Sequence, residues 1–239
     1  MKKISLLAAA VSMALTGCGS DDSSSPSSGT SPQMGGIVIT SMDGYLKNAL
    51  VCSDQNLDGE CNPGEEITTH DGALLLTNEH GQLNLEGKIT QEQQRNIESY
   101  PVVVKVLQPY EDNTHFHVES GIYTVDMDHQ FQPMDKNIVF RTPVGQTVAN
   151  PFTDLVVAEM NKGKTQQEAE ADVATTLISL NGSTESIDLY ADYVEIKQDS
   201  NATAEEQQLA AEMHKTAQVL TETKSNADTA EQYDDVALE

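Results

Sequence analysis

The sequence predicts an α+β protein, an antiparallel β-sandwich over residues 37–142 followed by a helical segment over residues 143–225. Two observations carry this. Short apolar, β-branched runs separated by Gly- and Asp-containing turns fill the first span. After Pro151 the apolar spacing lengthens from two residues to between three and four, the period of a helix. Composition sets the scale of the core: hydrophobic residues make up 38% of 239, aromatics 5%, and Trp is absent. Average soluble chains carry ~45–50% apolar residues, so the core has to be modest and built from Val, Leu, Ile, Met and Ala.

The chain before the first strand has a different texture. Met1-Lys2-Lys3 is basic and residues 4–15 are apolar. That run falls short of the ~20 residues needed to span a bilayer and suits the core of an export signal. It ends in Leu15-Thr16-Gly17-Cys18. These four residues resemble the lipobox of bacterial lipoproteins, in which small residues precede a cysteine that is acylated and becomes the first residue of the mature chain. The resemblance implies a signal peptide over residues 1–17, palmitate-type lipidation at Cys18 and membrane anchoring, each buried methylene contributing ~0.8 kcal/mol. The alternative is an ordinary cleaved signal followed by a free cysteine. Gly19, rather than Asp, follows the cysteine; by the usual sorting rule this implies the outer membrane, on its periplasmic or surface face. Residues 18–36, rich in Ser, Gly and Pro, then read as a flexible tether.

The expected strands follow in order. They are residues 37–40 (IVIT), 49–52 (ALVC), 67–69, 73–77 and 82–85, with Asp43-Gly44, Asp71-Gly72 and His80-Gly81 as turns. A short helix is expected over 90–98. Pro101 opens the strongest strand, 102–107 (VVVKVL), and weaker ones are expected over 121–125 and 137–141. In the helical half, Phe152, Leu155, Val156 and Met160 form one stripe. Residues 165–180 begin with a Thr cap, carry acids early and align Ala169, Val173, Leu177 and Leu180. A third helix over 203–223 has Glu205 and Glu206 at its start and Lys224 at its end, as a helix dipole favours. Residues 226–239 read as a frayed tail.

The stretch with most chemistry is Asp54-Gln55-Asn56-Leu57-Asp58-Gly59-Glu60-Cys61-Asn62-Pro63-Gly64-Glu65. It fits the pattern D-x-[DN]-x-[DN]-G-x5-E of a calcium-binding loop. A hard cation takes six to eight oxygen ligands. Asp54, Asn56 and Asp58 offer side-chain oxygens, Glu60 a backbone carbonyl, Asn62 a contact through water, and Glu65 two oxygens. Gly59 permits the sharp turn. The alternative is an acidic surface turn in an acid-rich chain. Strand-like flanks and Pro63-Gly64 exclude the helices of an EF-hand, so a structural calcium site is expected rather than a sensor.

With Cys18 assigned to lipid, Cys52 and Cys61 remain, nine residues apart around this loop. In an oxidising compartment a disulfide between them would close the loop. Two free thiols are the alternative; a soft-metal site needs more than two cysteines.

Together, Asp43-Gly44-Tyr45-Leu46-Lys47-Asn48-Ala49-Leu50-Val51-Cys52, the loop, and Thr77-Asn78-Glu79-His80-Gly81-Gln82-Leu83-Asn84-Leu85 form a module. It is similar to the B-type repeats of serine-aspartate-rich surface adhesins and to carboxypeptidase-regulatory, transthyretin-like β-sandwiches. The resemblance covers about residues 40–90, and 142–195 loosely. It implies a calcium-stabilised sandwich with display or adhesion roles at the cell surface, and no catalysis.

Thirteen Lys+Arg against 38 Asp+Glu give a net charge of −25, which repels phosphate backbones and excludes nucleic-acid binding. It attracts divalent cations and basic partners. His115-Phe116-His117 would place two imidazoles on one strand face, but without a third ligand it reads as a solvated face. His70-Asp71 reads as a turn. No G-x-S-x-G, HExxH, Walker A or GxGxxG motif occurs. The expectation is a non-enzymatic envelope lipoprotein that binds or assembles with a protein or glycan partner. The alternative is an enzyme acting on envelope polymers, or its accessory subunit, with a site between the β and helical parts. A third reading is a shortened relative of a longer surface protein.

Overall fold

The strongest β run in the sequence ends up at the centre of a sheet, buried on both faces. The computed structural model describes residues 36–129, 132–181, 186–227 and Asp234. The expected signal, Cys18, the tether before residue 36 and the tail beyond 227 except Asp234 lie outside the described residues. The strands are β1 (Val38–Ser41), β2 (Leu46–Lys47), β3 (Leu50–Ser53), β4 (Gln82–Asn84), β5 (Val102–Lys105), β6 (Val125–Asp126), β7 (Gln132–Pro133), β8 (Val139–Thr142) and β9 (Val148–Ala149). The helices are α1 (Gln91–Ser99), α2 (Pro151–Asn161), α3 (Gln166–Asn181), α4 (Tyr193–Ile196) and α5 (Ala204–Asn226). The fold is mixed α+β, with three small sheets ordered β4-β1-β9, β2-β6-β7 and β3-β5-β8.

In the third sheet β5 lies antiparallel between β3 and β8, with Val104 opposite Val51 on one side and Phe140 on the other. Val102, Val104 and Val106 face a core shared with Ile39, Val51, Leu83 and Phe140. Val103 and Leu107 face a second cluster with Leu50, Cys52, Cys61 and Phe116. A strand buried on both faces needs a near-continuous apolar run, and residues 102–107 lack the alternation of a half-exposed strand, with Lys105 alone polar and bonded to Asn137 Oδ1.

Several expectations change. The strands are not all antiparallel: β1 pairs with β9 in parallel, which the long intervening chain makes possible. The runs at 67–69 and 73–77 make isolated bridges, Cys52 to Glu66, Thr68 to Leu74 and Leu50 to Leu76, rather than strands. Residues 121–125 contribute only the start of β6, because Thr124 turns to Leu107: its N–H donates to Leu107 O and its hydroxyl accepts from Leu107 N–H. His115-Phe116-His117 is not a strand. Residues Thr114–Phe116 form a 3-10 turn, with His117 at φ 59°. Asp112 Oδ1 accepts from both the N–H and the hydroxyl of Thr114, the local bonding that favours a turn over a ladder.

The helical part is set by its caps. Asn150 Oδ1 accepts from the N–H groups of Phe152 and Thr153, Thr153 Oγ1 accepts from Asn150 N–H, and Pro151 stands at the first helical position of α2. Thr203 and Glu206 close the same reciprocal box on α5. Phe152, Leu155, Val173, Leu177, Tyr193, Ala210 and Met213 form the helical core. Leu180 does not join it and is 69% exposed. The short α4, not expected from the sequence, starts at Asp192, whose side chain accepts from Glu195 N–H. Met42, from the turn after β1, is buried in this helical core, so strands and helices share packing surface. Among the described residues no helix is long and apolar enough to cross a membrane.

Candidate metal centre

The loop of residues 54–65 leaves β3 and returns beside it. Ser53 N–H donates to Glu65 O (2.9 Å), and Asp54 N–H to Pro101 O (2.9 Å), so both ends of the excursion are tied to the sheet. Cys52 and Cys61 pair at disulfide distance, their Cα atoms 5.6 Å apart, with both side chains in the apolar cluster under the sheet.

Within this frame the acids organise the turn. Asp54 is buried; its Oδ1 accepts from Asp58 N–H (3.1 Å) and its Oδ2 from Gly59 N–H (2.9 Å). Gly59 sits at φ +76°, where glycine is favoured, and a Cβ there would lie a tight 3.1 Å from Arg141 Cδ. Asp58 Oδ1 accepts from Glu60 N–H (2.9 Å), and Oδ2 accepts from the amides of Asn56 (2.8 Å) and Asn62 (2.9 Å). Glu65 Oε1 accepts from Gln55 N–H (3.0 Å) and Asn56 N–H (3.3 Å), and Oε2 from Asn62 N–H (3.1 Å).

Asn56, Asp58 and Asn62 therefore meet side chain to side chain, whereas Asp54 and Glu65 hold loop N–H groups. Among the described residues no group of three or more His, Cys, Asp or Glu side chains is placed to hold a metal ion. The donor chemistry nevertheless suits a hard cation, since Asp54, Asn56, Asp58, Asn62 and Glu65 all carry oxygens on one disulfide-closed loop. Two carboxamides pointing at one carboxylate would present oxygen instead of nitrogen after a half-turn of each amide.

The electrostatics separate the acids. Burial pushes the Asp54 carboxyl up against the pull of its backbone donors. For Asp58 desolvation also pushes up, but Glu60 N–H and the amides of Asn56 and Asn62 outweigh it and hold the carboxyl below its usual value. Glu60 is raised, by desolvation first, with Lys105, Lys224 and Arg141 opposing.

Beside the loop lies a buried ion cluster that sequence reasoning missed. Arg141 on β8 donates from Nε to Asp154 Oδ1 on α2 (2.6 Å), and Lys224 Nζ on α5 lies 2.5 Å from Asp154 Oδ2. Arg141 Nη2 also donates to Asp234 Oδ1 (2.6 Å). Asp154 is fully buried; desolvation raises its carboxyl, yet Lys224 and Arg141 outweigh that and hold it below the usual range. In the sequence Asp154 looks like any acid in the first turn of a helix, so no signal marked it. His70 and Asp71 form an exposed pair 3.4 Å apart on a turn.

Comparison with protein-family models, with curated proteins and with solved structures found no match.

Proposed function

We propose that the protein is a non-enzymatic, lipid-anchored module of the bacterial outer membrane that binds or assembles with a protein or glycan partner and is stiffened by calcium. The observation that carries this reading is the loop of residues 54–65: oxygen-bearing side chains at calcium-loop spacing on a segment tied at both ends to the sheet and bridged by Cys52 and Cys61. Asp54, Asn56, Asp58 and Glu65 would hold the ion with the carbonyl of Glu60, and Asn62 through water. The ion would supply charge neutralisation and rigidity. The chain's own residues set the shape of the loop, since Asp54 and Gly59 make the turn and Arg141 packs behind it.

In this reading the sheets β4-β1-β9 and β3-β5-β8 are the two layers of a sandwich around Ile39, Leu83, Val104 and Phe140. The likeness to adhesin B-type repeats and transthyretin-like modules supports a display role, and the lipobox Leu15-Thr16-Gly17-Cys18 supports the anchor. A site with Kd ~10⁻⁴ M stays filled in a millimolar calcium medium. At about 1 mM calcium it would stabilise the fold by about 1.4 kcal/mol, a rise in Tm of about 3–6 °C over chelated protein. Palmitate should label the protein in cells and fail to label Cys18→Ala. Absence of both the Tm rise and the labelling would remove the reading.

A further inference from the structure

A second site lies away from the loop, where the turn after β1 meets the segment following β6 and the last turns of α5. A cavity of about 370 Å³ opens there, lined by Asp43, Asp126, His129, Gln218 and Thr221 with Pro133 and Met134. Asp43 is only 4% exposed, and its Oδ1 has no hydrogen-bond partner. The Thr221 hydroxyl is buried beside it, near enough to lower the Asp43 carboxyl but outside hydrogen-bond geometry. Two buried polar atoms without a well-formed hydrogen bond thus belong to residues lining one cavity.

Asp43 differs in this from Asp126, Asp128 and Glu222. Asp126 Oδ1 accepts from Asp128 N–H (2.8 Å), and its Oδ2 pairs with His129 Nδ1. Asp128 Oδ2 lies 2.8 Å from His214 Nε2 and 3.6 Å from Lys197 Nζ. At the rim, Glu222 pairs with Lys136. Each of these carboxylates has a cation within 4 Å, whereas Asp43 has no ion pair that close and feels His214 and His129 only from farther off. A buried carboxylate without a donor is costly, and such exceptions call for a ligand or water that completes them.

The missing complement must bring positive charge and N–H donors into a small space. A metal ion fits poorly, because Asp126, the neighbouring carboxylate of the cavity, is already bonded to Asp128 N–H and His129. A primary ammonium has three donors on a compact head. Asp43 and Thr221 offer two acceptors, and Pro133 and Met134 offer apolar surface for an alkyl stem. We propose that this cavity binds a primary ammonium group on an unbranched alkyl chain, with Asp43 as its ion-pairing carboxylate and Thr221 as a second acceptor. The group can come from a free alkylamine or from a lysine side chain of a partner protein. The inference stands apart from the calcium reading, since it uses no residue of the loop.

The test is titration of n-butylammonium chloride into the full chain, followed by amide NMR shifts. Tetramethylammonium chloride at equal ionic strength serves as a cation without N–H donors. Saturable shifts at residues 42–45, 126–129 and 218–222 are expected with n-butylammonium only. Affinity should drop at least tenfold in Asp43→Asn and severalfold in Thr221→Val. A peptide containing one lysine distinguishes the sources: tighter binding than n-butylammonium indicates a protein partner, weaker binding a free amine. Equal shifts from tetramethylammonium, saturation of these residues by calcium or magnesium, or unchanged affinity in Asp43→Asn would overturn the proposal. If Asp43→Asn lost its native spectrum, unchanged affinity in Thr221→Val would overturn it instead.

Discussion

Asp43 carries its charge at a cost to the fold. Burial raises its carboxyl from 3.8 to about 6; Asp126 adds to the rise, and Thr221, His214 and His129 oppose it. Asp128 and Lys197 pair with each other directly and each also meets His214. Between pH 3.8 and about 6 the folded state binds more protons than the unfolded chain, so stability falls as pH rises through that window. The penalty is absent below it and complete above it. Asp43→Asn should therefore stabilise the protein at pH 8 by up to about 3 kcal/mol and change nothing near pH 3.5. Denaturant melts at the two pH values check this, and equal effects at both would contradict it. In the sequence this residue was legible only as half of an Asp-Gly turn. Its burial beside Thr221 depends on α5, far along the chain, and no local pattern encodes that. The oxygen-bearing side chains of the 54–65 loop differ, because their spacing is local and the chain itself displays it.

At the scale of elements, Asp154 ties α2 to Arg141 of β8 and Lys224 of α5. Removing Asp154 takes the central carboxylate from Arg141 and Lys224, leaving Asp234 to serve both buried cations; breaking a buried pair in this way costs about 3–5 kcal/mol. Asp154→Ala should lower stability by that amount in a thermal or denaturant melt, whereas a loss below about 1 kcal/mol would mean that Arg141 and Lys224 find other partners. Local chemistry made several elements legible. The Asn150-Pro151-Phe152-Thr153 start of α2 and the valine run of β5 appear where propensity, capping and burial agree. Features decided by distant contacts, the parallel pairing of β1 with β9 and the exposure of Leu180, were not legible, and the turn at Thr114–Phe116 was missed although its bonding to Asp112 is local. The short α4 depends on Tyr193 packing against Phe152 and donating to Met42 O, contacts more than thirty residues apart.

For the whole molecule, the net charge of −25 and a sparse aromatic core make cross-links and ions matter more than they would in a larger, apolar protein. The Cys52–Cys61 pair encloses much of the loop across nine residues. Loop-closure entropy sets its contribution at about 2–3 kcal/mol. Cys52→Ser/Cys61→Ser should lose that much stability and weaken calcium binding, because the ligands would no longer be held before the ion arrives. Unchanged calcium affinity would show that the backbone ties at Ser53 and Asp54 suffice.

Calorimetric titration of calcium into metal-stripped, non-reduced protein, with Asp54→Ala/Glu65→Ala alongside, is the most direct test of the calcium-stiffened module. The account predicts saturable one-site binding in the wild type and its loss in the variant. Only weak, unsaturable heat, equal in both proteins, would reduce the loop to an acidic turn closed by its own hydrogen bonds and contradict the account.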